Sequence, residues 1–418
     1  LFRGVVLALL IVLGPGLATD AHAQPTDPPR AELAIVTTEG NIVRVDLATA
    51  TESPVTTDAN TTERRYTWPT WSTDGRLAFF GFSTQPTDAY TLGIFVQGAD
   101  GTVRRVLSSN EDIFTYAYWS PADCNAGPDC RDLAVLYTAA NRELATVNIR
   151  DADEFSITQL SIGGPHYWDW SPDGQQLFQS RFGRELSVYD AERGEVTTQF
   201  DRTPGFGRAV DWSPVDDRLL APIQAPGGTA LAILNGEDVT LIDSGFPAGV
   251  SAAWSPNAER IAYLNEFNGG LNLIGIDGSS VEDDPTRLAE EVIAFWWSPD
   301  GRQLAYLRVE AVEAFDGPIA GRLQQQASQL VWYVYDLAKD STRRGPGWLP
   351  TENMVYYLSF FDQFARSHRL WSADGRYLTY AETVLPDGDE WVRVVDTQAT
   401  TLQAETVRAG SIGIFAWE

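Results

Sequence analysis

The sequence predicts an all-β fold: a closed β-propeller of eight four-stranded blades, or of seven if one copy is degenerate. Three observations carry this. Tryptophan closes a short apolar run eight times, at Trp71, Trp119, Trp170, Trp212, Trp254, Trp297, Trp371 and Trp417, and seven of these are followed at once by Ser. The copies stand 48, 51, 42, 42, 43, 74 and 46 residues apart, and repetition at ~40–50 residues points to a propeller or solenoid. Finally, Glu32 to Val36 aligns with the second strand of a repeat, and Ser411 to Trp417 reads as a first strand with no successor. Pairing the two would seal the ring and remove two exposed sheet edges.

Taken in order, the chain starts with Arg3, an apolar run from Gly4 to Leu13, a Gly-Pro-Gly break and Ala21-His22-Ala23. A charged start, a short apolar stretch and an A-x-A site describe a secretory signal peptide over residues 1–23. The alternative, an uncleaved anchor, would need roughly 20 apolar residues. Residues 24–30, rich in proline, read as a linker and 31–418 as the propeller. The expected location is extracytoplasmic: periplasmic, cell-surface or secreted, and not integral to a membrane once the signal is removed.

Each repeat has one internal order. In Trp297-Ser-Pro-Asp-Gly-Arg-Gln-Leu-Ala-Tyr-Leu307 a first strand ends at the Trp, Ser298 to Gly301 turn, and Gln303 to Arg308 form a second strand. Ser suits the first turn position, Pro the second and Gly the fourth. The same turn is expected at Ser171-Pro-Asp-Gly174 and Ser372-Ala-Asp-Gly375. It weakens at Ser213-Pro-Val-Asp-Asp217 and Ser255-Pro-Asn-Ala258, where glycine is missing. Third strands such as Leu271 to Ile276 and fourth strands such as Val239 to Ile242 complete the blade, and Asp100-Gly101 and Asp277-Gly278 fit third-to-fourth hairpins. A lone blade cannot bury its faces, so each Trp ring is expected to pack against the neighbouring blade.

The recurring Trp-Ser-Pro-Asp-Gly-x-x-Leu-Ala-Tyr resembles the propeller repeat of the TolB family, also found in the propellers of prolyl-oligopeptidase relatives. The resemblance spans nearly the whole chain after the linker and implies the fold. TolB resembles a six-bladed ring behind an α/β domain, and the oligopeptidase relatives append an α/β-hydrolase domain. The copies here are more numerous and neither extra domain is expected within residues 31–418, so the resemblance does not carry either function across.

With 57 acidic and 30 basic residues the formal net charge is −27, which removal of Arg3 and Asp20 leaves unchanged. Such a surface repels phosphate backbones and argues against nucleic acid as a partner. Lys339 is the only lysine. The two cysteines, Cys124 and Cys130, share a Gly/Pro loop and are expected to form a local disulfide worth about 2 kcal/mol. A C-x5-C metal site would need further ligands, and none clusters there. No metal and no cofactor are expected.

Beyond the predicted signal only His166 and His368 remain, and there is no G-x-S-x-G, H-E-x-x-H or phosphate-binding glycine loop. No catalytic residue is nominated. Both histidines fall a few residues before a repeat Trp, which topology places at one mouth of the central channel, together with Arg208 and Arg366. The sialidase box S-x-D-x-G-x-x-W is matched only superficially, since the spacer is absent here and the Trp comes first. No carboxylate pair stands out for glycoside hydrolysis.

The 74-residue gap between Trp297 and Trp371 holds two insertions on that same face. Val309 to Gln329 includes a short helix expected over Ile319 to Leu330. Gly345 to Arg366 carries Trp348, Tyr356, Tyr357, Phe360 and Phe361. Loops added to one rim of a rigid scaffold are where binding tends to reside. These aromatics either form a binding surface or pack under the insertion to cap the channel. Other aromatics precede inner strands: Tyr66, Trp68, Phe114, Tyr116, Tyr167, Trp168 and Phe206. The candidate binding residues are therefore His166, Trp168, Arg208, Trp348, Tyr357, Phe360, Phe361, Arg366 and His368. The expected function is a non-catalytic scaffold for a protein or peptide at the cell envelope. A glycan- or small-ligand-binding propeller and a hydrolase or lyase using rim carboxylates or histidines are the alternatives.

Overall fold

The computed structural model describes residues 31–417 except 61, 86–87, 89–90, 111–113, 125–129, 138–142, 150–154, 163–165, 182, 207–208, 278–279, 282–283 and 312–327. The predicted signal and linker lie outside the described residues. Runs rich in β-branched, leucine and aromatic residues, punctuated by Ser-Pro-Asp-Gly and Asp-Gly, give the chain its strands. Among the described residues they form eight separate antiparallel sheets in chain order.

The repeat around Trp297 is representative. Val292–Trp297, Gln303–Ala311, Ser328–Asp336 and Ser341–Trp348 pair in that order. The turn after Trp297 closes on itself: Gly301 N–H donates to the Ser298 carbonyl at 2.9 Å, Ser298 Oγ to Asp300 Oδ1 at 2.6 Å, and Gln303 N–H to Ser298 Oγ at 2.9 Å. Gly301 sits at φ +67°, where glycine alone is unstrained. Where the glycine is missing the same turn survives: Ala258 takes φ 54° and its N–H still donates to the Ser255 carbonyl at 2.8 Å.

The repeated indoles act between sheets. Trp119, Trp170 and Trp297 donate their Nε1–H to the carbonyls of Thr70, Tyr118 and Ala253, each the residue just before the preceding repeat's Trp. At Trp212 and Trp254 the link is a different one: their backbone N–H groups donate to Asp169 Oδ2 (2.8 Å) and Asp211 Oδ2 (2.6 Å). First strands accordingly pack on one another, Arg64–Trp71 on Phe114–Trp119 and His166–Trp170 on Asp211–Trp212.

The two ends of the array meet. Ile412–Phe415 pairs antiparallel with Glu32–Val36 in the register Leu33↔Phe415 to Val36↔Ile412. A Cβ at Gly413 would lie 2.7 Å from Val392 Cγ1, so the approach of this strand needs glycine. The last sheet has three full strands, and its first strand is reduced to the bridge Trp371↔Leu378.

Two expectations change around the insertions. Ser328–Leu330 is strand, not the end of a helix: these residues pair with Val309–Ala311 and continue the β-rich run into Tyr335. The rest of that predicted helix lies outside the described residues. Between Trp348 and Trp371 the chain folds into two helices, α1 (Glu352–Ser359) and α2 (Phe361–Ser367). Thr351 caps α1, its Oγ1 accepting from Met354 N–H at 3.2 Å.

Candidate functional site

The helix pair follows a fourth strand and precedes a first strand, so it enters the channel from the end opposite the Trp-Ser-Pro turns. Its apolar face is a helical stripe: Met354, Tyr357, Phe361 and Phe364 are all buried. α2 packs against the first strands Phe114–Trp119, His166–Trp170, Val250–Trp254 and Val292–Trp297, which surround the channel.

Polar groups then fasten it to the wall. Gln363 pairs its amide with the backbone N–H and C=O of Trp168 at 3.0 and 2.9 Å. Tyr116 Oη donates to the Gln363 carbonyl at 2.8 Å, and Thr70 Oγ1 to the Ser367 carbonyl at 2.9 Å. Asp362 Oδ2 accepts from Ala209 N–H at 2.8 Å. Arg366 Nη1 reaches both Asp169 (Oδ2, 2.9 Å) and Asp211 (Oδ1). The helix is a plug, clamped to successive inner strands.

This arrangement places the sequence-predicted residues largely inside. Trp168, Trp348, Tyr357 and Phe361 are 0–3% exposed. Trp348 stacks on Trp332 with centroids 6.0 Å apart, and Phe361 packs on Phe295 and Trp296. Tyr357 Oη accepts from Trp296 Nε1–H and donates to the His368 carbonyl, both at 3.1 Å. Among the described candidate aromatics Phe360 is the exposed one, at 38%, and its neighbour Tyr356 is 40% exposed. Capping of the channel describes these aromatics, because an amphipathic helix pair buries them against the inner strands. Arg208 lies outside the described residues.

The histidines are also enclosed. His166 Nδ1 contacts Gln179 Nε2, and His368 Nδ1 lies 2.6 Å from Ser367 Oγ. Burial among Trp68, Tyr116 and Phe364 pushes His368 down to about 3, the Trp68 backbone offsetting this only in part. A histidine held neutral this way does not exchange protons near pH 7. Cys124 and Cys130 are joined as a disulfide with Cα atoms 5.4 Å apart.

The open site is at the other mouth. A recess of about 460 Å³ lies between the Trp-Ser-Pro turns and the plug. Its rim is the turn prolines Pro121, Pro172, Pro214, Pro256 and Pro299, and its wall includes Trp170, Trp212, Trp254, Trp297, Trp371 and Trp417. Phe361, Asp362, Ala365 and Arg366 form its floor from one side of α2, followed by Arg369 and Leu370. Sequence reasoning located the tryptophans but not this recess, because the floor depends on α2 entering the channel. The spacing Met354, Tyr357, Phe361, Phe364 behind a capping Thr351 is the signal that could have found it.

Charge is concentrated on the floor. Burial, offset in part by Arg366 and reinforced by Asp169, pushes the Asp211 carboxyl up to about 7. Burial opposes the Arg366 charge, but Asp211 and Asp169 outweigh it and hold the guanidinium above its ordinary value. Arg369 differs. Burial pushes it down to about 10, and its guanidinium lies 3.5 Å from the centre of the Trp417 ring with no carboxylate of the described residues in hydrogen-bond or ion-pair reach. Among the described residues no group of three or more His, Cys, Asp or Glu is placed to hold a metal, and no helix is long and apolar enough to cross a membrane.

Successive antiparallel sheets with their first strands around a shared channel define an all-β, propeller-type domain. No family model matches the chain, and no curated protein matches it. Three solved structures to which it is similar are the C-terminal WD40 domain of Sif2, the WD40 domain of SCAP from fission yeast, and an oligogalacturonate lyase in complex with manganese. The first is 13% identical, covering 82% of this chain and 87% of that chain at a TM-score of 0.47. The second is 10% identical, covering 75% and 81% at 0.47, and the third 11% identical, covering 81% and 85% at 0.44.

Proposed function

We propose that this chain is an exported, closed, eight-bladed propeller of TolB-like repeat that serves as a non-catalytic scaffold. It would bind a protein or peptide segment in the recess at the Trp-Ser-Pro mouth. The observation that carries this reading is the recess itself. It is concave, walled by indoles and prolines from consecutive repeats, and floored by a helix clamped in place, so a ligand meets a preformed surface. The pairing of Ile412–Phe415 with Glu32–Val36 supports closure, and the eight sheets support the blade count. The leader-like residues 1–23 and the Cys124–Cys130 disulfide support export.

The test compares the two mouths. Envelope proteins crosslinked to the wild type are identified, and the crosslinking is repeated with Pro214→Glu plus Pro256→Glu at the turn rim and with Phe360→Asp on the plug side. Loss of the partner with the rim variant alone supports the reading. Loss with Phe360→Asp alone moves the binding face to the insertion, and capture of glycans in place of protein favours the carbohydrate alternative.

A further inference from the structure

We propose that the recess recognises a carboxylate, carried by the C-terminus of a protein partner or by a free small organic acid, and that Arg369 is its seat. The inference rests on the recess being the binding site and adds the chemistry of what enters it.

Arg369 holds donors that have no acceptor among the described residues. A guanidinium carries five N–H groups in one plane. Arg369 covers one face of that plane with the Trp417 ring and donates to no carboxylate among the described residues. The carboxylates on the same floor are already engaged: Asp169 by Trp212 N–H and Arg366, Asp211 by Trp254 N–H and Arg366, and Asp362 by Ala209 N–H. Free donors therefore converge on the recess: Arg369 carries the guanidinium with no carboxylate among the described residues, and Arg366 Nε and the indole N–H groups of Trp212, Trp254 and Trp371 also lack an acceptor there.

Position and surroundings make that capacity usable. The backbone of Arg369 is pinned, its carbonyl accepting from Phe415 N–H at 2.9 Å, so the side chain starts from a fixed point. The walls are indole and proline, which exclude water and strengthen any charge pair formed between them. A half-buried cation with no counter-ion among the described residues is partly stripped of water, and an incoming anion relieves that cost. Planar, bidentate pairing is the geometry a guanidinium and a carboxylate share. A recess of about 460 Å³ accepts a ligand the size of a dipeptide or an aryl acid. The net charge of −27 repels anions at long range, so binding here would be a local effect that moderate salt does not abolish.

Calorimetric titration of the full chain with N-acetyl-Leu-Phe as free acid, the same dipeptide as its amide, and 3-phenylpropionate tests this. The free acid is expected to bind about tenfold or more tightly than the amide, the difference a charge-assisted hydrogen bond supplies. Arg369→Gln is expected to erase that preference, and Arg369→Lys to restore part of it. If Arg369→Gln does not fold, the acid-to-amide ratio in the wild type decides alone. A dipeptide acid binding well above 3-phenylpropionate assigns the site to protein C-termini, and equal binding assigns it to small acids. Equal affinity for acid and amide overturns the carboxylate inference while leaving the recess as a binding site, and so does absence of binding by all three probes at millimolar concentration. The crosslinking comparison of the two mouths judges the recess independently.

Discussion

The side-chain amide of Gln363 hydrogen-bonds both backbone groups of Trp168, accepting from its N–H at 3.0 Å and donating to its C=O at 2.9 Å. A first strand lining a channel has an edge with unpaired backbone groups, and those groups need partners when water is displaced. Here an amide from α2 takes the place of an adjacent strand. The plug is thus held by hydrogen bonds that the channel wall itself requires, as well as by apolar packing.

Gln363→Leu should then cost about 2–4 kcal/mol, because it leaves a buried N–H and a buried C=O unpaired. Urea denaturation with a fixed m-value measures this. A loss under about 0.5 kcal/mol would mean that water or the backbone replaces the amide.

Asp211 should give a distinctive pH dependence. Its folded value, pushed to about 7, lies above the ordinary 3.8, so the folded chain holds the proton more tightly than the unfolded chain. Its contribution to stability is present below about pH 3.8 and declines as pH rises toward 7. The stability of wild type minus that of Asp211→Asn, measured from pH 4 to pH 8, should fall and then level off. A difference that is flat or rises with pH contradicts the assignment.

The aromatics of the insertion should separate into core and surface. Trp348→Ala and Phe361→Ala each empty a buried site and should cost about 3–5 kcal/mol. Phe360→Ala, at an exposed position, should cost less than about 1 kcal/mol. Comparable losses at all three positions would place Phe360 in the core as well.

The turn glycine can be tested where nothing crowds it. A Cβ at Gly301 would meet only Pro256, at 3.4 Å or beyond, so Gly301→Ala isolates the left-handed backbone cost. That cost should be about 1–2 kcal/mol. Thermal melts of Gly301→Ala against wild type measure it, and an unchanged melt would show that the turn relaxes, unlike Ala258, which keeps φ 54°.

Much of the fold was legible because it is periodic. Trp-Ser marks seven of the eight first strands, Ser-Pro-Asp-Gly supplies both the φ and the hydrogen bonds of the turn, and Glu32–Val36 lacks a neighbour that Ile412–Phe415 provides. These are local rules, repeated, so one reading serves every copy. The helix pair escaped because its aromatics read equally well as rim and as core. Ser328–Leu330 escaped because its polar start masks the strand it joins.

The repeat, the turns and the strands to be paired at the two ends can be read from the amino acids alone, since each follows from short-range pattern and backbone geometry. Tertiary structure decided which way the aromatic insertion faces. Tyr357, Phe361 and Phe364 turn into the channel because burial there satisfies both their rings and the unpaired edges of the inner strands. That one packing choice fills one mouth, makes a floor for the other, and leaves Arg369 beneath a wall of tryptophans with no carboxylate of the described residues beside it.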